Sequence, residues 1–170
     1  MKDSPKLKLS KNAAHGKRFA IIVSSYHDTL TTKLHEGAVD TLKNYGATID
    51  DISTYWVPGA FEIPAVARQI VQHQNVDAVI CLGIILKGET THNEYIAREV
   101  ARGIAQIHAV SGIPAIFGVL TPETLEQAKA RSGGSKENKG VESAEAAIAM
   151  VELLSEIKQG TKKQNKSVGF

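Results

Sequence analysis

Apolar positions along the chain follow two alternating rhythms. Short β-branched runs at Arg18 to Ser24, Thr48 to Tyr55, Val76 to Gly83 and Pro114 to Leu120 read as strands. Between them, apolar residues recur at helical spacing. Leu30, Leu34, Ala38 and Leu42 line one face of a helix that Gly46 stops. Ile96, Val100, Ile104 and Ile107 line another, from about Asn93 to Val110, closed by Gly112. A further helix is expected from near Glu62 to just before Asn75. Thr121-Pro122-Glu123 supplies a hydroxyl cap, a proline at the first helical position and an acid in the first turn, so a helix starts there and runs to about Ser132. Three glycines and two lysines make Ser132 to Gly140 a loop, and a last helix follows from about Val141 to Lys158.

Strands alternating with helices define a parallel sheet joined by right-handed crossovers, which puts helices on both faces. The expected fold class is therefore α/β, a three-layer α/β/α sandwich around a four-stranded parallel sheet. The two ends are rich in Lys, Ser and Asn and carry no apolar period, so flexible polar tails are expected at 1–17 and 159–170, with a single domain at 18–158. A 170-residue chain has room for one such domain, which would bury roughly 70% of its unfolded surface.

Composition narrows the partners. The chain carries 20 Lys and Arg against 18 Asp and Glu, too balanced to imply a nucleic acid or a membrane surface. Its longest apolar stretch, Ala78 to Leu86, is too short to cross a bilayer, and Met1 to Lys17 lacks the apolar run of a signal peptide, so a cytoplasmic protein is expected. The lone Cys81 lies inside an apolar run, where a thiol acts as a small hydrophobe. The six histidines show no metal-ligand spacing, so no metal site is expected.

In open parallel sheets, ligands bind beyond the carboxyl ends of the strands. The segments there are Ser25-Tyr26-His27-Asp28, then Val57-Pro58-Gly59-Ala60-Phe61-Glu62-Ile63-Pro64, then Leu86-Lys87-Gly88-Glu89-Thr90-Thr91-His92. Gly88 to Thr91 precede a helix, where free N–H groups can hold an anion, although the same residues would also make a plain turn and cap. Gly83 and Gly88 have P-loop spacing, but Glu89 stands where that motif needs Lys, which rejects a nucleotide triphosphatase. Imidazole can move protons near neutral pH, and His92 stands at the helix start as a candidate acid or base, with a solvated or capping role as its rival. Glu62 can cap its own helix or accept hydrogen bonds from a polyol. Arg131, Lys136 and Lys139 could neutralise a phosphate or stay solvated. Tyr26, Phe61 and Phe117 could stack on a flat heterocycle, although Phe117 inside a strand would ordinarily be core.

Together these segments resemble the lumazine synthases, from about Arg18 to Leu154. Val57 to Pro64 is similar to the family's signature octapeptide and Gly83 to His92 to its strand end and phosphate loop. Pro114-Ala115-Ile116-Phe117-Gly118-Val119-Leu120-Thr121 and Asn138-Lys139-Gly140 follow in the family's order and spacing. The resemblance implies a flavodoxin-like fold and the condensation of 5-amino-6-(D-ribitylamino)uracil with 3,4-dihydroxy-2-butanone 4-phosphate, without any cofactor. It makes His92 the proton-transfer residue and gives the phosphate to Glu89, Thr90 and Arg131. It places Tyr26, Ala60, Phe61, Glu62, Ile84, Ile85, Leu86, Phe117 and Lys139 around the ribitylaminouracil. Phe117, Arg131 and Lys139 would come from a neighbouring copy in a homopentamer, with a shell of sixty as a further step and riboflavin synthase as a candidate partner. Ser25-Tyr26-His27 departs from the family's usual Arg-Phe-Asn, Lys87 from a frequent Arg, and Glu137 from a common glycine. The rival readings are a non-catalytic shell protein that binds lumazine or riboflavin, and a flavodoxin-type nucleotide or flavin binder.

Overall fold

A computed structural model of the chain describes residues 9–133 and 138–166. Four parallel strands, β1 (Phe19–Ser24), β2 (Ile52–Val57), β3 (Ala78–Ile84) and β4 (Ala115–Leu120), lie in the order β2-β1-β3-β4. Around them run α1 (Asp28–Asn44), α2 (Ile63–His73), α3 (His92–Ser111), α4 (Leu125–Arg131) and α5 (Lys139–Lys166). The period of two in β1 divides its side chains between two cores. Phe19, Ile21 and Val23 join Leu34, Leu42 and Ile148 under α1 and α5, while Ala20 and Ile22 join Ile63, Ala67, Val100 and Ile104 under α2 and α3. Burial of each large aliphatic side chain contributes about 1.5–3 kcal/mol, so both helix layers are firmly held to the sheet. The result is the three-layer sandwich that the alternating pattern predicts, in the flavodoxin-like form that the resemblance implies.

Chain reversal after β1 matters most for function. The chain leaves β1 toward β2 on one side, then returns past it to β3 on the other. The loops leaving β1 and β3 therefore diverge, and a crevice opens above the carboxyl ends of these two strands.

Several boundaries differ from the sequence pattern for identifiable reasons. Thr48 to Asp51 does not extend β2. The Asp51 carboxylate takes both the Thr48 backbone N–H (2.8 Å) and its hydroxyl (2.6 Å), closing a short 3-10 turn before the strand. Thr121 does not cap α4; Thr124 does, its hydroxyl accepting the Gln127 N–H at 3.2 Å. The packed domain also begins before Arg18. Residues 11–16 form turns that bury Ala13 and Ala14, and the Ala14 N–H donates to the Tyr45 carbonyl at 2.9 Å. Two small residues in a turn leave no periodic trace. At the other end α5 continues to Lys166 rather than Lys158. Gly46 and Gly112 do end α1 and α3 with positive φ, 98° and 68°.

Candidate active site

A cleft of about 730 Å³ lies over the carboxyl ends of β1, β2 and β3. It gathers Tyr26, Ala60, Phe61, Glu62, Ile84, Ile85, Leu86, Thr90 and His92, nine of the residues named from the sequence. Backbone bonds hold its floor: the Ser25 N–H donates to Val57, and the Ile85 N–H to Leu120, both at 2.8 Å. The Lys87 N–H donates to the Pro122 carbonyl at 3.1 Å, tying the loop after β3 to the turn after β4. Gly88, Glu89, Thr90 and Thr91 follow, exposed, and their N–H groups donate to no acceptor among the described residues. Free amides ahead of the first turn of α3 have the character of an anion cradle. The His92 N–H reaches back to the Thr90 hydroxyl at 3.4 Å, and the imidazole stands exposed in the cleft.

Glu62 closes the turn that leads into its own helix with one carboxylate oxygen only. Its Oε2 accepts the Gly59 N–H at 2.9 Å, while Oε1 has no partner among the described residues and remains available to a ligand. Three large aromatic rings stay exposed along the rim: Tyr26 at 68%, Phe61 at 59% and Tyr95 at 62%. So much open aromatic surface beside polar groups marks a place where something docks.

Other features of the cleft escape a pattern search. His27 enters α1 in a left-handed conformation, φ 62° and ψ 43°, with its ring edge-on to Tyr26 at 4.9 Å between centroids. Tyr95, Ile96 and Glu99 share a wall because they follow His92 by three, four and seven residues on α3, and Asn93 lines the cleft beside them.

Four of the named residues lie elsewhere. Glu89 is exposed on the loop and does not line the cleft. Phe117 sits on edge strand β4, 38% exposed rather than core. Arg131 ends α4 and borders a separate cavity of about 330 Å³ formed with Leu120, Thr121, Pro122, Gln127 and Ala130. Lys139 opens α5. Arg131 and Lys139 do meet, through a residue the sequence pattern does not single out: Glu142 accepts Arg131 Nη2 on Oε1 and Lys139 Nζ on Oε2, the latter at 3.0 Å. Lys136 and Glu137 lie outside the described residues.

Burial removes the thiol as a nucleophile. Cys81 is fully buried, and burial pushes its thiol up to about 12, so no thiolate forms near neutrality. Among the described residues no group of three or more His, Cys, Asp or Glu gathers as a metal site, and no helix is long and apolar enough to cross a membrane.

A flavodoxin-like sheet with an aromatic-rimmed cleft at its switch point defines an α/β protein with the form of a small-molecule site. The family model described as 6,7-dimethyl-8-ribityllumazine synthase matches residues 16–155, and the chain belongs to that family. Membership places it in riboflavin biosynthesis as a transferase-type enzyme that acts on small molecules and assembles into oligomers.

Proposed function

We propose that the chain condenses 5-amino-6-(D-ribitylamino)uracil with 3,4-dihydroxy-2-butanone 4-phosphate to 6,7-dimethyl-8-ribityllumazine, releasing phosphate and water, in a cleft that a second copy completes. The observation that carries this reading is the cleft's charge. Among the described residues it is lined by two imidazoles, His27 and His92, and two carboxylates, Glu62 and Glu99, but by no lysine or arginine. A phosphate ester bound there needs cations from outside, and Arg131 and Lys139 stand paired on another part of the chain. A head-to-tail ring would bring that corner of one copy over the cleft of the next, and a homopentamer is the proposed ring, with a sixty-copy shell built from it.

The chemistry asks little of the protein beyond placement. The substrate amine is the nucleophile. Imine formation expels one water, elimination expels phosphate, and attack of the second nitrogen on the remaining carbonyl closes the ring with loss of a second water. The protein must hold two molecules in contact and move protons between them. In this reading His92 carries the protons, and the free amides of Gly88 to Thr91 with Arg131 of the next copy hold the phosphate. Tyr26 and Phe61 stack on the ring, with Phe117 of the next copy beside them. Glu62 Oε1 takes a ribityl hydroxyl, Ile84, Ile85 and Leu86 meet the ring edge, and Lys139 of the next copy approaches a ring carbonyl. Riboflavin synthase, which would consume the product, is the proposed partner.

The test mixes the purified chain with both substrates and follows lumazine absorbance. Formation well above the uncatalysed rate is expected. A rate equal to that background would leave a binding protein of the same fold. Light scattering should give a mass of at least five chains; a stable monomer that turns over would remove the shared site.

A further inference from the structure

Arg131 and Lys139 stand on two different helix ends, and the backbone fixes neither cation against the other. Arg131 closes α4, where a cation suits the negative end of the helix dipole. Lys139 opens α5, where its charge faces the positive end, a placement that helix formation disfavours. Two like charges brought together across a loop also repel. One carboxylate answers both problems. Glu142, in the first turn of α5, suits that helix terminus, and it takes Arg131 on one oxygen and Lys139 on the other. All three side chains are only about one-third exposed, at 33%, 30% and 29%, so the cluster is set into the surface. Each cation makes one bond to Glu142 and keeps further donors for a ligand.

We infer that Glu142 is a positioning residue, a bridging carboxylate that holds Arg131 and Lys139 at a fixed separation so that one meets the phosphate and the other the heterocycle. The inference rests on the proposed condensation and adds the element that aligns its two cations. Glu142 does not touch substrate in this role; it acts through its neighbours. A glutamine at 142 offers one acceptor oxygen and one amide nitrogen, so it can keep one cation and must release the other.

The test measures steady-state kinetics and melting for the intact assembly of wild type, Glu142→Gln, Arg131→Ala and the double variant. Glu142→Gln should raise the KM for the butanone phosphate by about tenfold, with kcat within about threefold and an unchanged assembly size. Because Glu142 works through Arg131, the double variant should be no worse than Arg131→Ala alone. Glu142→Asp, which keeps both oxygens on a shorter stem, should recover part of the loss. A Glu142→Gln chain with wild-type KM overturns the inference, and so does a double variant whose loss is the product of the two single losses. A general structural role would lower kcat and melting temperature together and leave KM in place, which also overturns it. A wild-type chain that makes no lumazine overturns the underlying reading, and the inference with it.

Discussion

The cleft and the cationic corner are built on opposite plans. The cleft is made by loops that leave strand ends, its shape is fixed by backbone hydrogen bonds, and its aromatic rings stand open to solvent. The corner is made by two helix ends, its shape is fixed by side-chain ion pairs, and its two cations share a single carboxylate. The cleft offers flat aromatic surface but, among the described residues, no lysine or arginine lines it; the corner has two cations but no aromatic surface among its three residues. Aromatic surface and paired cations are thus separated on one chain, and in the proposed reaction a second copy joins them.

The strongest way to break this comparison is to disable one half per chain. Arg131→Ala leaves a whole cleft without its cation, whereas Phe61→Ala with His92→Ala leaves a whole corner beside a crippled cleft. None of these side chains is buried, so each variant should fold. Each homogeneous assembly should lose roughly a hundredfold in kcat/KM, the scale of a charged hydrogen bond or a proton-transfer group. Coexpressed in equal amounts, they should recover about a quarter of wild-type activity, since about one interface in four joins an intact cleft to an intact corner. Activity no greater than the average of the two homogeneous variants would place all working residues within one chain.

The corner also depends on a helix packing that the cleft does not share. At Gly140, the second residue of α5, a Cβ would stand 1.8 Å from the Leu34 carbonyl oxygen and 2.7 Å from its carbon. Both are backbone atoms of α1 and cannot turn aside. Helix propensity alone favours alanine over glycine here by roughly 1 kcal/mol, but the clash decides the sign. Gly140→Ala should cost about 3 kcal/mol, a drop of about 6–12 °C in melting temperature. A variant that melts at the wild-type temperature would show that α1 and α5 can separate without loss, and the corner would then have no rigid base.

The cleft was far more legible in the sequence than the corner, and the reason is physical. Tyr26, Phe61, Glu62, Thr90 and His92 sit in segments that directly follow strands, and strand ends converge in any parallel sheet. Local order along the chain therefore predicts their meeting. Glu142 lies eleven residues beyond Arg131, on a different helix, and its significance comes only from both cations reaching it. No local pattern encodes that. The left-handed backbone of His27 was hidden for a related reason, because glycine announces positive φ in a sequence and histidine does not. In the fold, β1 and β3 were readable as apolar runs because both faces are buried. Thr48 read as strand because a β-branched residue looks alike in a strand and in a capping box.

A smaller effect separates pH dependence of the fold from pH dependence of the cleft. His35 lies on α1 against β2, outside the cleft lining, with its Nε2 2.9 Å from the Thr54 hydroxyl and its ring tilted against Trp56. Partial burial holds its pKa below the ordinary imidazole value, opposed in part by the Glu36 carboxylate. The folded state thus favours the neutral ring, and the unfolded chain binds the proton more readily. That contribution to stability is complete above the ordinary imidazole pKa and is lost as pH falls through it toward the lowered folded value. Because the ring is only half-buried, the loss should stay below about 1 kcal/mol. His35→Gln can keep a bond to Thr54 but cannot titrate there. Between pH 8 and pH 5 its melting temperature should therefore fall by about 1–3 °C less than that of wild type, while the pH profile of kcat/KM stays the same. Equal slopes in melting would remove His35 as a source of acid sensitivity, and a shifted activity profile would mean that the α1 face and the cleft are coupled after all.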